Sequence, residues 1–178
     1  MNVKLKKILA MILSVCLVFS GLTFFKGMET NAADKGDDTM NILFIGNSMT
    51  YYNTLCSVVE GLANHYGHKV KCTAATNGGY TLIRNAADNV ITAIQKGGYD
   101  KVIIQDIVGS FDADNHMEGV QTITEMIKQY SPDAKIYSYE PWPTKDSILG
   151  ENSKLPYFTY YYIKAAKKYC RRSFLRHV

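Results

Sequence analysis

A serine lies in the run Gly46-Asn47-Ser48-Met49-Thr50, directly after the apolar residues Ile42-Leu43-Phe44-Ile45 and just before a stretch with helical spacing. That placement presents a hydroxyl at the end of a buried strand, where it suits a nucleophile. It suits equally an N-cap or a phosphate loop, because Ser and Thr at helix starts satisfy orphan N–H donors without any chemistry. The G-x-S-x-G nucleophile elbow is not matched, since Thr50 stands at its second glycine. A serine hydroxyl used as a nucleophile needs a histidine to take its proton and a carboxylate to orient that histidine. The histidines of this chain are His65, His68, His116 and His177.

The elements that position these groups follow from periodicity. Ile42–Ile45 is too short and too apolar for a helix and reads as a buried strand closed by a tight turn. Leu55, Val58, Val59, Leu62 and Ala63 recur at helical spacing, and Gly67 stops that helix. Further strands are expected at Lys69 to Ala75, Lys101 to Gln105 and Ala134 to Tyr139. Further helices are expected from about Leu82 to Gln95, Met117 to Tyr130 and Tyr157 to Tyr169.

Alternation of this kind calls for a parallel sheet with helices on both faces, a three-layer α/β/α sandwich of flavodoxin-like type. Ligands of such sheets bind outside the carboxyl ends of the strands. The loops Gly46 to Tyr52, Thr76 to Thr81, Asp106 to His116 and Glu140 to Asp146 therefore line one edge. His65 and His68 fall at the opposite end of the first helix. His116 is the one histidine in an edge loop, with Asp112 and Asp114 nearby, and is a candidate base. The alternative is that Asp114 or Asn115 caps the following helix and His116 is a solvated first-turn residue. Trp142, in the rigid run Glu140-Pro141-Trp142-Pro143, either forms a wall suited to stacking on sugar rings or packs its loop onto the domain.

With these residues in view, the chain resembles the SGNH or GDSL-type hydrolases, a family of small esterases and lipases. The resemblance rests on Ile42-Leu43-Phe44-Ile45-Gly46-Asn47-Ser48, with Asn47 in place of the commoner Asp, and on Asn77-Gly78-Gly79-Tyr80-Thr81, similar to the family's second block. It spans roughly 41–169. It implies that Ser48 attacks an ester carbonyl and that the backbone N–H groups of Ser48 and Gly79 face the developing oxyanion. A glycine at position 79 lets a substrate oxygen approach the amide closely; Asn-Gly-Gly is equally a simple turn. Asn47, beside the nucleophile, and Trp142, on its own aromatic loop, are the candidate substrate-binding residues.

The family's third donor, an asparagine after the third strand, is missing. A subgroup of secreted SGNH-like proteins of uncertain function has glutamine there, which implies Gln105 as a substitute donor; otherwise Gln105 bonds a neighbouring loop. The family's Asp-x-x-His block, which supplies carboxylate and base, is also missing. Cys170 to Val178 has neither strand nor helix periodicity and reads as an atypical basic tail. The expectation is a truncated or frame-shifted product in which the last strand and helix of the SGNH hydrolase fold, with the base, are absent.

With 178 residues, 47% hydrophobic and 12% aromatic, the composition fits one globular domain and excludes disordered and repeat architectures. The formal charge of +4 resides mostly in residues 1–33, where Lys4, Lys6, Lys7 and Lys26 face only Glu29. The near-neutral remainder gives no electrostatic reason to expect nucleic acid. That segment, with its basic start, apolar run Ile8 to Phe25 and small residues at Asn31-Ala32-Ala33, reads as a signal peptide cleaved after Ala33, followed by a spacer at 34–40. Secretion or display at the cell surface is expected, with no stable membrane insertion after cleavage. Cys56, Cys72 and Cys170 then leave at least one thiol unpaired, so no disulfide framework is expected; no metal or cofactor is either.

Two functions follow. One is an exported SGNH-type ester hydrolase acting on acyl or acetyl esters of small molecules or saccharides, impaired by the missing base. The other is a non-catalytic saccharide- or ligand-binding module on a degenerate version of the same fold.

Overall fold

A computed structural model describes residues 38–86, 88–108, 111–141, 155–170 and 174–175. The expected signal peptide, most of the spacer, Trp142 and most of the tail lie outside the described residues.

Among the described residues five strands form one all-parallel sheet: β1 (Met40–Gly46), β2 (Val70–Thr76), β3 (Lys101–Ile104), β4 (Lys135–Tyr139) and β5 (Phe174–Leu175), in the order β2-β1-β3-β4-β5. The helices are α1 (Ser48–Tyr51), α2 (Leu55–His65), α3 (Leu82–Asn85), α4 (Asp88–Gln95), α5 (Ala113–Tyr130) and α6 (Leu155–Tyr169). This is the flavodoxin-like order, whose switch point lies between β1 and β3.

Alternation along β1 divides the core. Leu43 and Ile45 face the larger cluster, with Val102, Ile104 and Ile136 of the sheet and Leu82, Val90, Ile94, Val120, Ile123, Ala165 and Ala166 of α3 to α6. Ile42 and Phe44 face the other layer with Val70 and Ile103, packed against Leu55, Cys56, Val59 and Ala63 of α2. Both faces of β1 are thus buried, as its unbroken apolar run demands. Among the described residues no helix is long and apolar enough to cross a membrane.

Three expectations are corrected. The helix expected from Leu82 to Gln95 is two helices, because its first turn is pinned from outside: Leu82 N–H donates to Asp106 and Asn85 Nδ2 to the Gly46 carbonyl, and Ala86 leaves helical geometry at ψ 32°. Helix α5 begins at Ala113, ahead of Met117, because Asp112 caps it; Asp112 Oδ1 accepts from Asn115 N–H at 2.8 Å, a role expected of Asp114 or Asn115. In the tail, Phe174 and Leu175 pair with Ser138 and Tyr139 of β4, so a strand exists where periodicity gave none; two residues are too few to show a period.

Candidate active site

Ser48 opens α1 at the carboxyl end of β1 and is half-buried. Its position is set by the residues on either side. Asn47, 1% exposed, caps the helix by accepting from Met49 N–H at 3.1 Å, while its Nδ2 donates to the Tyr80 carbonyl at 3.0 Å. The second contact ties the turn at 77–80 to the serine loop. Tyr51 also approaches this turn closely, since a Cβ on Gly78 would stand 2.9 Å from its hydroxyl. Asn77 N–H and Asn85 Nδ2 both donate to the Gly46 carbonyl, at 3.1 and 3.0 Å. Gly79 stands in this turn at φ +72°, a conformation glycine adopts without cost, and nothing lies within 4 Å of where a Cβ would project. The structure thus brings Asn47, Ser48 and the Gly79 turn together.

Gln105 follows β3, is 1% exposed, and has a different place from an oxyanion donor. Its Oε1 accepts from Asn47 N–H at 3.1 Å and from the Thr50 hydroxyl at 2.7 Å. Its Nε2 donates to the Asp106 carbonyl. The amide is spent on bracing the serine loop, which is the plainer of the two readings its position allowed. The brace explains Gly46: a Cβ there would lie 2.2 Å from Thr50 Oγ1 and 2.6 Å from Gln105 Oε1.

His116 is also placed differently. It is 1% exposed in the first turns of α5, and so is not solvated. Its Nδ1 meets Asp106 Oδ2 at 2.9 Å, and its ring stacks on Tyr162 with centroids 4.3 Å apart and leans on Phe111. Its Nε2 is buried with no hydrogen-bond partner. Capping by Asp112 rather than a later residue rotates position 116 inward, so the ring enters the aromatic layer. His65 is the exposed last residue of α2 and His68 is exposed just beyond it, and among the described residues no histidine hydrogen-bonds the Ser48 hydroxyl.

Asp106 is the residue that sequence reasoning missed. Its Oδ1 accepts from Leu82 N–H and Ile107 N–H, both at 2.7 Å, its Oδ2 meets His116, and its own N–H donates to the Tyr162 hydroxyl at 3.2 Å. Through its carboxylate and its backbone N–H this one residue joins the chain after β3 to α3, α5 and α6. Burial, reinforced by the charge of Asp106, pushes the Tyr162 phenol well above its ordinary range. The available signal was an acidic residue two positions after the apolar run Val102–Ile104, a buried position for a charge that needs several partners.

The chain preceding α2 carries strain. Asn53 and Thr54, in the 3-10 turn Tyr52–Thr54, have φ of 56° and 52°. A β-branched residue in the left-handed region is a genuine outlier. This kink separates α1 from α2 and lets Ser48 stand on its own short turn.

No protein-family model matches the chain, and no curated protein matches it by sequence. Solved structures do match its fold. The psychrotrophic esterase EstA from Pseudoalteromonas sp., in a structure inhibited by monoethylphosphonate, aligns with a TM-score of 0.61 at 12% identity, over 79% of this chain and 78% of that one. A family 3 carbohydrate esterase from Clostridium thermocellum aligns with a TM-score of 0.59 at 10% identity, over 76% of each chain. TesA aligns at 0.58 and 13% identity, over 72% and 74%. The architecture is that of the SGNH hydrolases, the fold that the resemblance of the Ser48 and Gly79 blocks implied.

Proposed function

We propose that this protein is an SGNH-type serine ester hydrolase, with Ser48 as nucleophile, acting on acyl or acetyl esters of small molecules or saccharides. The observation that supports it most is the position of Ser48: second residue after β1 and first of α1, at the β1/β3 switch point, in a loop braced by Asn47 and Gln105 and tied to the Gly79 turn. In this reading Ser48 Oγ attacks the ester carbonyl, and the N–H groups of Ser48 and Gly79 hold the oxyanion. The alcohol leaves, and water releases the acyl group from Ser48. Donors of that kind are worth about 3 to 4 kcal/mol each.

His116 is committed to Asp106, so the proton of Ser48 has no histidine acceptor among the described residues. Turnover in this reading is slow beside that of a complete triad. The same observation favours a second reading, a binding module that holds a saccharide ester without cleaving it. Export through residues 1–33, with action outside or at the surface of the cell, belongs to both readings and is supported by the three-part pattern of that segment.

Rates on a panel of acetyl and longer acyl esters, with Ser48→Ala as control, separate the two. Hydrolysis that falls roughly ten-fold or more in the variant supports the enzyme. Saccharide-ester binding with a rate indifferent to the variant supports the binding module.

A further inference from the structure

Two of the cysteines meet across the smaller core layer. Cys56 lies in the first turn of α2, and Cys72 lies on β2, the edge strand, opposite Ile42 of β1. Both are half-buried and both pack against the cluster of Ile42, Phe44, Val70 and Ile103; Cys72 N–H donates to Glu60 Oε2 at 2.9 Å, one helical turn along α2 from Cys56, and the two thiols come within hydrogen-bonding reach of each other. Cys170 is buried in the other layer. We propose that Cys56 and Cys72 form a modification site, a dithiol that a small-molecule disulfide of the glutathione class converts to an intramolecular disulfide joining α2 to the edge strand.

The two sulfurs have different roles in that conversion. Burial pushes both thiols up, Cys72 to about 12, and the nearby Glu60 carboxylate raises both further. The hydrogen bond between them favours the Cys56 thiolate and disfavours that of Cys72. Cys56 is therefore the first nucleophile and Cys72 the resolving thiol, since the thiolate is the attacking species. The Cys56 thiolate attacks the reagent disulfide, forming a mixed disulfide and expelling one reagent thiolate, which takes up the proton that Cys56 released. Cys72 then loses its proton and attacks Cys56 Sγ; the second reagent thiolate leaves and is protonated. Two protein thiols are oxidised and one reagent disulfide is reduced to two thiols.

The absence of CxxC spacing hides this pair in the sequence, because its proximity arises from α2 folding back along β2. The bond would hold α2 to its strand just downstream of the strained turn at Asn53 and Thr54.

The test treats the full chain with oxidised glutathione, alkylates it under denaturing conditions and maps the peptides without reduction. The expected result is loss of both alkylatable thiols at Cys56 and Cys72, a peptide pair linked through them, and alkylation of Cys170 as before. A Cys72→Ser protein is expected to retain glutathione on Cys56 as a stable adduct. Alkylation of Cys56 and Cys72 at the level of the untreated protein, or linkage of either to another cysteine, overturns the proposal.

Discussion

Thr50 donates its hydroxyl proton to Gln105 Oε1 at 2.7 Å, directly over the α-carbon of Gly46. This bond fastens the turn after β1 to the end of β3, and Ser48 stands between its anchors. Thr50→Val removes the donor while keeping the shape, and leaves a buried amide oxygen with Asn47 N–H alone. The expected cost is about 1 to 2 kcal/mol, read from the midpoint of urea unfolding. Gly46→Ala forces a methyl into the bond itself and is expected to cost more than Thr50→Val.

Asp106 and His116 give a prediction that separates architecture from chemistry. Asp106→Ala strips partners from two backbone N–H groups and from a buried imidazole, and should destabilise by about 3 kcal/mol or more. His116→Phe keeps an aromatic ring beside Phe111 and Tyr162 and removes the unpartnered Nε2, at the cost of the hydrogen bond between Nδ1 and Asp106 Oδ2. It should lower stability by less than Asp106→Ala and leave the rate of Ser48-dependent ester cleavage unchanged once folded protein is counted. A large loss of rate in soluble, folded His116→Phe protein would show that His116 takes part in the chemistry.

The turn before α2 predicts a gain. At Thr54, φ of 52° costs a β-branched side chain roughly 1 to 2 kcal/mol that glycine does not pay. Part of this returns as the greater entropy of glycine in the unfolded chain. Thr54→Gly should therefore raise thermal stability slightly, whereas Thr54→Ala should not recover it.

Much of this arrangement was legible in the residues. The short apolar runs at Ile42–Ile45 and Val102–Ile104 define strands buried on both faces, and Gly46-Asn47-Ser48 at the end of the first defines the turn that carries the hydroxyl. Gln105 was visible as a polar residue at a strand end, but which of its amide atoms is engaged depends on Thr50 and Asn47, brought close only by the β1/β3 pairing. His116 was misplaced because Asp112, Asp114 and Asn115 are all competent caps. The choice among them fixes the helix phase, and with it whether position 116 faces water or the core. Asp106 went unnoticed since its partners come from Leu82, Ile107, His116 and Tyr162, a set no local pattern assembles.

Alkaline pH should weaken the fold from about pH 9 upward. Burial pushes the Cys170 thiol from 9.0 to about 12. The native state thus keeps a proton that the unfolded chain releases, so the stabilisation is complete below pH 9 and is lost as pH rises toward 12. The slope for one such group is about 1.4 kcal/mol per pH unit within that window. Denaturant titrations in the presence of reductant should show a shallower decline for Cys170→Ala than for the parent chain.

The central claim, that Ser48 is the nucleophile, is tested most directly by a fluorophosphonate, a reagent that traps activated serines. Incubation with the probe, with and without added imidazole as an external proton acceptor, is followed by peptide mapping. The account predicts a single adduct on Ser48, slow to form because among the described residues no histidine hydrogen-bonds its hydroxyl, faster with imidazole, and absent in Ser48→Ala. No adduct on Ser48 under either condition in folded protein would contradict it and leave the binding module as the function of this site.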